Sequence, residues 1–324
     1  MEGKNGIILA VEEINAKGGL KGKKVQIIFE DSKNNPAVGV SALNRLIEME
    51  NTPVIISAMS SVSMALAPIV NKAGVVLFAD VGHPLITQTG PWVFRNFPTT
   101  VTEASVMAKF ILKEDIRKVG ILFINDEWGN SLKEELLKSL SERVAITFVS
   151  PFEKDGRDFK SLLTKLMATN PQAVYLGGYG PALGILVKQL RNIGFQGKIL
   201  ASMGLANLDA LSAAGEAAEG AICTAPAFDP SNSAVKDFVE KYRSKFGKDP
   251  DYNAAIEYDT VMLIASAMEK GGFSAEAIRD ALLTKIGEYS GVSGQLRILS
   301  NRDITSPLTL KVIKHGKPIP YQGD

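Results

Sequence analysis

"VIISAMSSVSMALAPIV", residues 54–70, is the stretch from which the fold can be read. The β-branched run at 54–56 reads as a short strand, the serines at 57, 60, 61 and 63 as the turn after it, and 64–67 as the opening of a helix. A helix N-terminus presents unpaired N–H groups and a partial positive charge. Hydroxyls beside it add donors, so the stretch suits an anion, a carboxylate as readily as a phosphate. The plainer role for Ser61 or Ser63 is to cap the helix, worth about 1 kcal/mol.

The same alternation runs outward in both directions. Strand-like runs fall at 25–30, 75–78, 119–124, 145–148, 173–176 and 197–200, and helix-length periodic segments at 36–50, 102–113, 130–143, 159–168 and 181–193. Continuously apolar short strands alternating with helices predict βαβ units around parallel sheets covered on both faces. The pattern breaks at "WVFRNFPTT" (92–100) and at "CTAPAFDPSNS" (223–233), which divides it into two blocks. Three more helices are expected at 233–246, 254–270 and 275–284, then an alternating strand, a turn at Gly316 and a short return. At 324 residues the chain also exceeds what one hydrophobic core usually holds.

Composition narrows the function. A net charge of +1 gives no bulk attraction to nucleic acid or anionic membrane. A single cysteine, Cys223, excludes an internal disulfide, and with only two histidines it argues against a Cys/His zinc site. There is no G-x-S-x-G elbow and no phosphate-binding P-loop. "GGYGPALG" (177–184) imitates a dinucleotide motif, but the next strand ends "KILAS" without the acid a ribose needs. His83 before Pro84, three residues after Asp80, reads as a turn, and Asp126 with Glu127 as a solvated turn or cap. No catalysis, cofactor or metal is expected. The N-terminus has no signal-peptide pattern and reads as a helix already under way, with an expected earlier strand upstream of Met1 or absent.

Ligands of open α/β sheets bind beyond the C-terminal ends of the strands. The loops there are "SAMSSVS", "ADVGHP", "NDEWG", "GGYGP" and "ASMGL". Together with "LAVEEINAKGGLKGKKVQIIFEDSKNNPAVGVSALNRLI" (9–47), "FRNFPTT", "FINDEWGNSL", "VYLGGYGPALGILVKQLRNIGF" and "YDTVMLIASAM", they give a chain that resembles, over its whole length, the type I periplasmic binding proteins of the leucine/isoleucine/valine-binding family. The resemblance implies two Rossmann-like lobes with parallel-sheet cores, joined by three crossover strands and closing on a small ligand. Lobe I would comprise 1–99 and 228–303, lobe II 100–227 and 304–324. It further implies an exported, extracytoplasmic monomer that delivers a small carboxylate or amino acid to the membrane permease of an ABC transporter. A ligand-sensing receptor on the same fold is the alternative, and an NAD-type enzyme a weaker one.

Position by position, the resemblance assigns Ser60 and Ser61 to a ligand carboxylate and the backbone of Asp80 and Gly82 to further ligand contacts. Trp128 and Tyr179 become aromatic walls. Met203 stands where the family's amino-acid binders place an acid for the ligand ammonium. Either Asp80 supplies that charge and the ligand is an amino acid, or the ligand is an aromatic or aliphatic acid without an ammonium and Asp80 is engaged elsewhere. The missing acid favours the second, because an unpaired buried ammonium is expensive.

Overall fold

The computed structural model describes residues 2–49, 52–140, 142–305 and 307–322. The chain divides into two compact units: Met1–Pro98 with Ala227–Pro307, and Thr99–Pro226 with Leu308–Asp324. It therefore passes from one unit to the other three times, each time directly after a proline. Ile304 and Thr305, assigned above to the second lobe, cluster with the first unit because Ile304 N donates to Arg95 O at 2.7 Å and Thr305 N to Arg297 O at 3.0 Å.

The first unit is built on a parallel three-stranded sheet, Val54–Ser57, Val76–Ala79 and Val93–Phe94 in that order. The central strand is buried throughout, and its alternate side chains serve two cores. Leu77 and Ala79 pack with Leu43, Leu66, Val70 and Ile86, whereas Val76 and Phe78 pack with Phe94, Leu263 and Leu282. The helices obey local rules. Asn35 accepts from Ala37 N and Val38 N ahead of Pro36–Glu48, and Asp251 and Ser274 cap Tyr252–Gly271 and Ala275–Thr284. Residue 50, the expected end of the Pro36 helix, lies outside the described residues. The helix Glu2–Ala16 lies so close to Tyr252–Gly271 that a Cβ on Gly6 would come within 2.1 Å of Ala254 O. Trp92 lies under the guanidinium of Arg279, 4.4 Å from its ring centroid.

Residues 25–30 are the one expected strand that does not form. The run has no regular secondary structure, no strand of the sheet pairs with it, and Ile28 and Phe29 are exposed. β-propensity describes fit to a neighbouring strand, and without one it does not make a strand. An antiparallel hairpin absent from the expectations, Glu288–Gly291 with Gly294–Arg297, is fastened instead by Asp259, whose carboxylate accepts from Val292 N and Ser293 N at 3.0 and 2.7 Å.

The second unit holds a seven-stranded sheet in the order Lys317–Pro320, Leu308–Lys314, Ile222–Pro226, Lys198–Ala201, Ala173–Gly177, Lys118–Ile124, Ala145–Phe152. The last five are parallel. Leu308–Lys314 pairs antiparallel with both of its neighbours, turning at Gly316 with φ 70° into the last strand. The helices Thr100–Lys113, Glu127–Ser139, Lys160–Met167 and Gly180–Asn192 connect or flank the parallel strands. Thr99 and Asp126 cap the first two, which moves their starts ahead of the apolar periodicity. Cys223 is buried in this sheet, and burial pushes its thiol up to about 12.

Candidate ligand-binding site

In the first unit, the C-terminal ends of two adjacent strands carry the expected loops side by side. Ser57 pairs with Ala79 in the parallel register, and Asp80 N donates to Ser57 O at 2.9 Å. The helix begins earlier than read, at Ser60. Its N-cap is Met59, at φ 120°, and no side chain caps it. Neither Ser61 nor Ser63 takes the capping role: Ser63 is fully buried, with its hydroxyl 2.8 Å from that of Ser57. The four serines thus split by function. Ser57 and Ser63 brace the turn, while Ser60 and Ser61 head the helix, and among the described residues neither hydroxyl has a protein partner. An uncapped helix N-terminus headed by hydroxyls is a geometry that suits an anion.

Asp80 is not an open carboxylate. It is buried, with Oδ1 accepting from Asn96 N at 3.2 Å and Oδ2 from Thr260 Oγ1 at 3.1 Å, and it hydrogen-bonds the carboxyl of Glu257. Burial pushes it up to about 7 against the pull of those hydrogen bonds. Glu257 is buried as well, and burial and the charge of Asp80 hold it well above the usual carboxylate range. Gly82, also buried, lies two residues beyond Asp80. His83 performs the turn role expected of it: its carbonyl accepts from Arg95 Nη1 at 2.5 Å and its Nδ1 from Leu85 N at 3.3 Å.

In the second unit, Trp128 stands in the first turn of Glu127–Ser139 and Tyr179 is the N-cap of Gly180–Asn192. Their rings meet edge to face at a centroid separation of 5.8 Å, and both are half-buried. Asp126 caps the Trp128 helix through Gly129 N at 2.8 Å and accepts from the Tyr179 hydroxyl, so the aromatic pair is fixed from below by an acid that the sequence offers only as a cap. Met203 is buried and opens a short 3-10 turn, Met203–Ala206. Its N–H donates to Glu103 Oε1 at 2.7 Å, which also accepts from Thr224 Oγ1 at 2.6 Å. Burial pushes Glu103 up to about 7. The loop that lacks an acid in sequence is therefore met by one from the helix Thr100–Lys113.

Glu257 and Glu103 escape sequence reading, though each left a trace. Glu257 interrupts "NAAIEYDTVMLIA", where nearly every neighbour is apolar. Glu103 in "TVTEASVMAKF" looks like an ordinary first-turn acid. Among the described residues no cluster of His, Cys, Asp or Glu is arranged to hold a metal ion, and no helix is long and apolar enough to cross a membrane.

Comparison with known proteins agrees with this architecture. A profile of the periplasmic binding protein family matches residues 1–316. The Leu/Ile/Val-binding protein homolog 3 of Brucella melitensis is 28% identical over 312 residues, spanning 94% of this chain and 84% of that protein. A leucine binding protein from Thermotoga maritima superposes with a TM-score of 0.89 at 28% identity, over 99% of this chain and 93% of that one. A solute binding protein of an ABC transporter from R. palustris, solved with benzoate, gives a TM-score of 0.90 over 98% of this chain and 90% of that one, and at 19% identity the likeness is one of fold. With its paired α/β units, three passages and serine-headed helix, the chain belongs to the periplasmic binding protein family, as a type I member related to the leucine/isoleucine/valine-binding proteins.

Proposed function

We propose that this chain is the extracytoplasmic solute-binding component of an ABC transporter, non-catalytic and monomeric, which presents its ligand to a membrane permease. The ligand is a small carboxylate. Ser60 and Ser61 with their helix N-terminus take the carboxylate, the backbone at Asp80 and Gly82 adds polar contacts, and Trp128, Tyr179 and Met203 receive the apolar remainder.

The observation that carries this reading is the uncapped helix at Ser60, whose two leading hydroxyls have no protein partner among the described residues. An aromatic or aliphatic acid without an ammonium is favoured over a standard amino acid. Its support is that the loop at Met203 offers no acid of its own, and that Asp80 has both oxygens on protein donors. Relatives named for leucine, isoleucine and valine, and a fold neighbour holding benzoate, span the two ligand classes.

A thermal-shift screen of branched-chain amino acids against their deaminated analogues and benzoate tests the assignment. A ligand at 100 times its dissociation constant adds about 2.7 kcal/mol of stability. Stabilisation by carboxylates is expected, and a screen in which no carboxylate raises the melting temperature counts against the reading.

A further inference from the structure

The short turn that carries Met203 is held by a residue from another element. Met203–Ala206 is a 3-10 turn with Ser202 as its N-cap, the position from which a serine hydroxyl ordinarily satisfies a leading N–H. Ser202 does not do so. Its hydroxyl donates to Gly178 O at 2.7 Å and accepts from Gly178 N at 2.9 Å. The first N–H of the turn, that of Met203, goes instead to Glu103 Oε1 at 2.7 Å, from a side chain 100 residues earlier in the chain. Glu103, Ser202 and Met203 are all buried, so water offers none of these groups a substitute.

Further contacts extend this hold in two directions. On one side, Glu103 Oε1 also accepts from Thr224 Oγ1 at 2.6 Å. Thr224 lies in Ile222–Pro226, the strand that ends where the chain passes to the first unit. Glu103 itself stands in the first turn of Thr100–Lys113, the helix that begins where the chain enters the second. On the other side, the turn is pressed against the loop of Tyr179. A Cβ on Gly204 would lie 2.1 Å from Gly178 O and 2.8 Å from Tyr179 Cα. With Ser202 bonded to both backbone groups of Gly178, the two loops have no room to slide past each other. Met203 and Tyr179 therefore keep one relative position, and Glu103 ties the pair to the helix and strand at the entry and exit of the unit.

We propose that Glu103 is a positioning residue for the ligand: fully buried, it sets where Met203, and with it Tyr179, meets the bound molecule. The inference rests on the reading of Met203 and Tyr179 as ligand contacts. What the turn requires is an acceptor at Oε1, not a charge. An apolar side chain of similar size would leave the Met203 N–H and the Thr224 hydroxyl buried without this partner. The turn would then shift until its N–H found another acceptor, because a buried donor left unpaired is costly. A glutamine keeps the acceptor and so keeps the turn in place.

Two measurements on the full chain test this at about pH 6, where Glu103, raised to about 7 by burial, holds its proton and matches glutamine in charge. The first needs no ligand. Amide hydrogen exchange read by NMR should show the Met203 N–H of wild type exchanging as slowly as that of Ser202, which is bonded to Leu176 O. Relative to the Val174 amide within the sheet, it should exchange at least about tenfold faster in Glu103→Leu and less than about threefold faster in Glu103→Gln. The ratio to Val174 removes any change in global stability. A Met203 amide that keeps its protection in Glu103→Leu overturns the proposal. So does one that exchanges freely in wild type, an outcome that needs no variant to fold. The second is calorimetry with leucine, its deaminated analogue isocaproate, and benzoate. Each probe that binds wild type should bind Glu103→Leu at least about fivefold more weakly, the worth of one hydrogen bond, and Glu103→Gln within about twofold of wild type. Unchanged affinity in Glu103→Leu, or an equal loss in Glu103→Gln, overturns the proposal and leaves the solute-binding reading standing. Should none of the three probes bind wild type, that reading fails on these ligands, and the exchange rates still decide whether Glu103 holds the turn.

Discussion

Met59 enters its helix at φ 120°, a region costly for a side chain, and leaves the N-terminus of Ser60–Ala73 without a cap. A structure that wanted only a stable helix would put a serine, threonine or aspartate there, as it does at Thr99, Asp126 and Ser274. On the proposed reading, the open end is a binding feature held at some cost in stability. Ser60→Ala together with Ser61→Ala should leave the melting temperature of the free protein nearly unchanged, since neither hydroxyl has a protein partner among the described residues. Carboxylate affinity should fall by about tenfold or more, the worth of one or two hydrogen bonds to a charged group. Calorimetry beside thermal denaturation separates the two effects. Trp128→Ala should behave likewise, with a larger loss of binding than of stability. At this scale the sequence was a partial guide. It marked the serine loop as a receptor, but whether a serine braces or binds depends on the register of the helix start. Only the fold reveals that Ser57 and Ser63 are spent on each other.

Between elements, close approach decides more than propensity. Alanine is the better helix former by about 1 kcal/mol, yet Gly6→Ala would drive a Cβ to 2.1 Å from Ala254 O. The expected outcome is a net destabilisation of about 1–3 kcal/mol in urea denaturation, as for other overpacked interfaces. Gly184, whose Cβ would meet Ala210 O at 2.1 Å, makes the matching case in the second unit. Most strands and helices could be read in advance because β-branched runs, caps and glycine stops are local signals. Residues 25–30 could not, since a strand exists only with a neighbour to pair with. The hairpin Glu288–Gly291 and Gly294–Arg297 was equally hidden, its anchor Asp259 being more than thirty residues away in sequence, as the spacing of 33 residues to Val292 shows. Glu257 and Glu103 were missed for a related reason. A glutamate in a helix reads as surface, and only packing turns it inward.

Across the whole molecule, buried acids set an unusual pH response. Asp80 and Glu103 are raised to about 7 and Asp259 to about 6 in the folded chain, in each case chiefly by burial. Between their ordinary values and these, the folded state holds more protons than the unfolded one. Their contribution to stability is therefore full below about pH 4 and is lost as pH rises through about 6 to 7. The melting temperature should be higher at about pH 5 than at about pH 8, the reverse of a protein held by ionised carboxylates. Glu103→Gln keeps an acceptor for Met203 N and Thr224 Oγ1 and should raise the melting temperature at about pH 8 while changing it little at about pH 5.

The chain's two tryptophans fall one in each unit, Trp92 beneath Arg279 and Trp128 against Tyr179. Each half of the molecule thus carries its own fluorophore. Trp92→Phe leaves an emitter at the proposed ligand wall, whose quenching should follow occupancy, and Trp128→Phe leaves one that reports the first unit alone. Recorded in urea, the two emission curves show whether the halves melt together. If the curves separate, unfolding has two midpoints, and a substitution's cost must be assigned to the half that bears it.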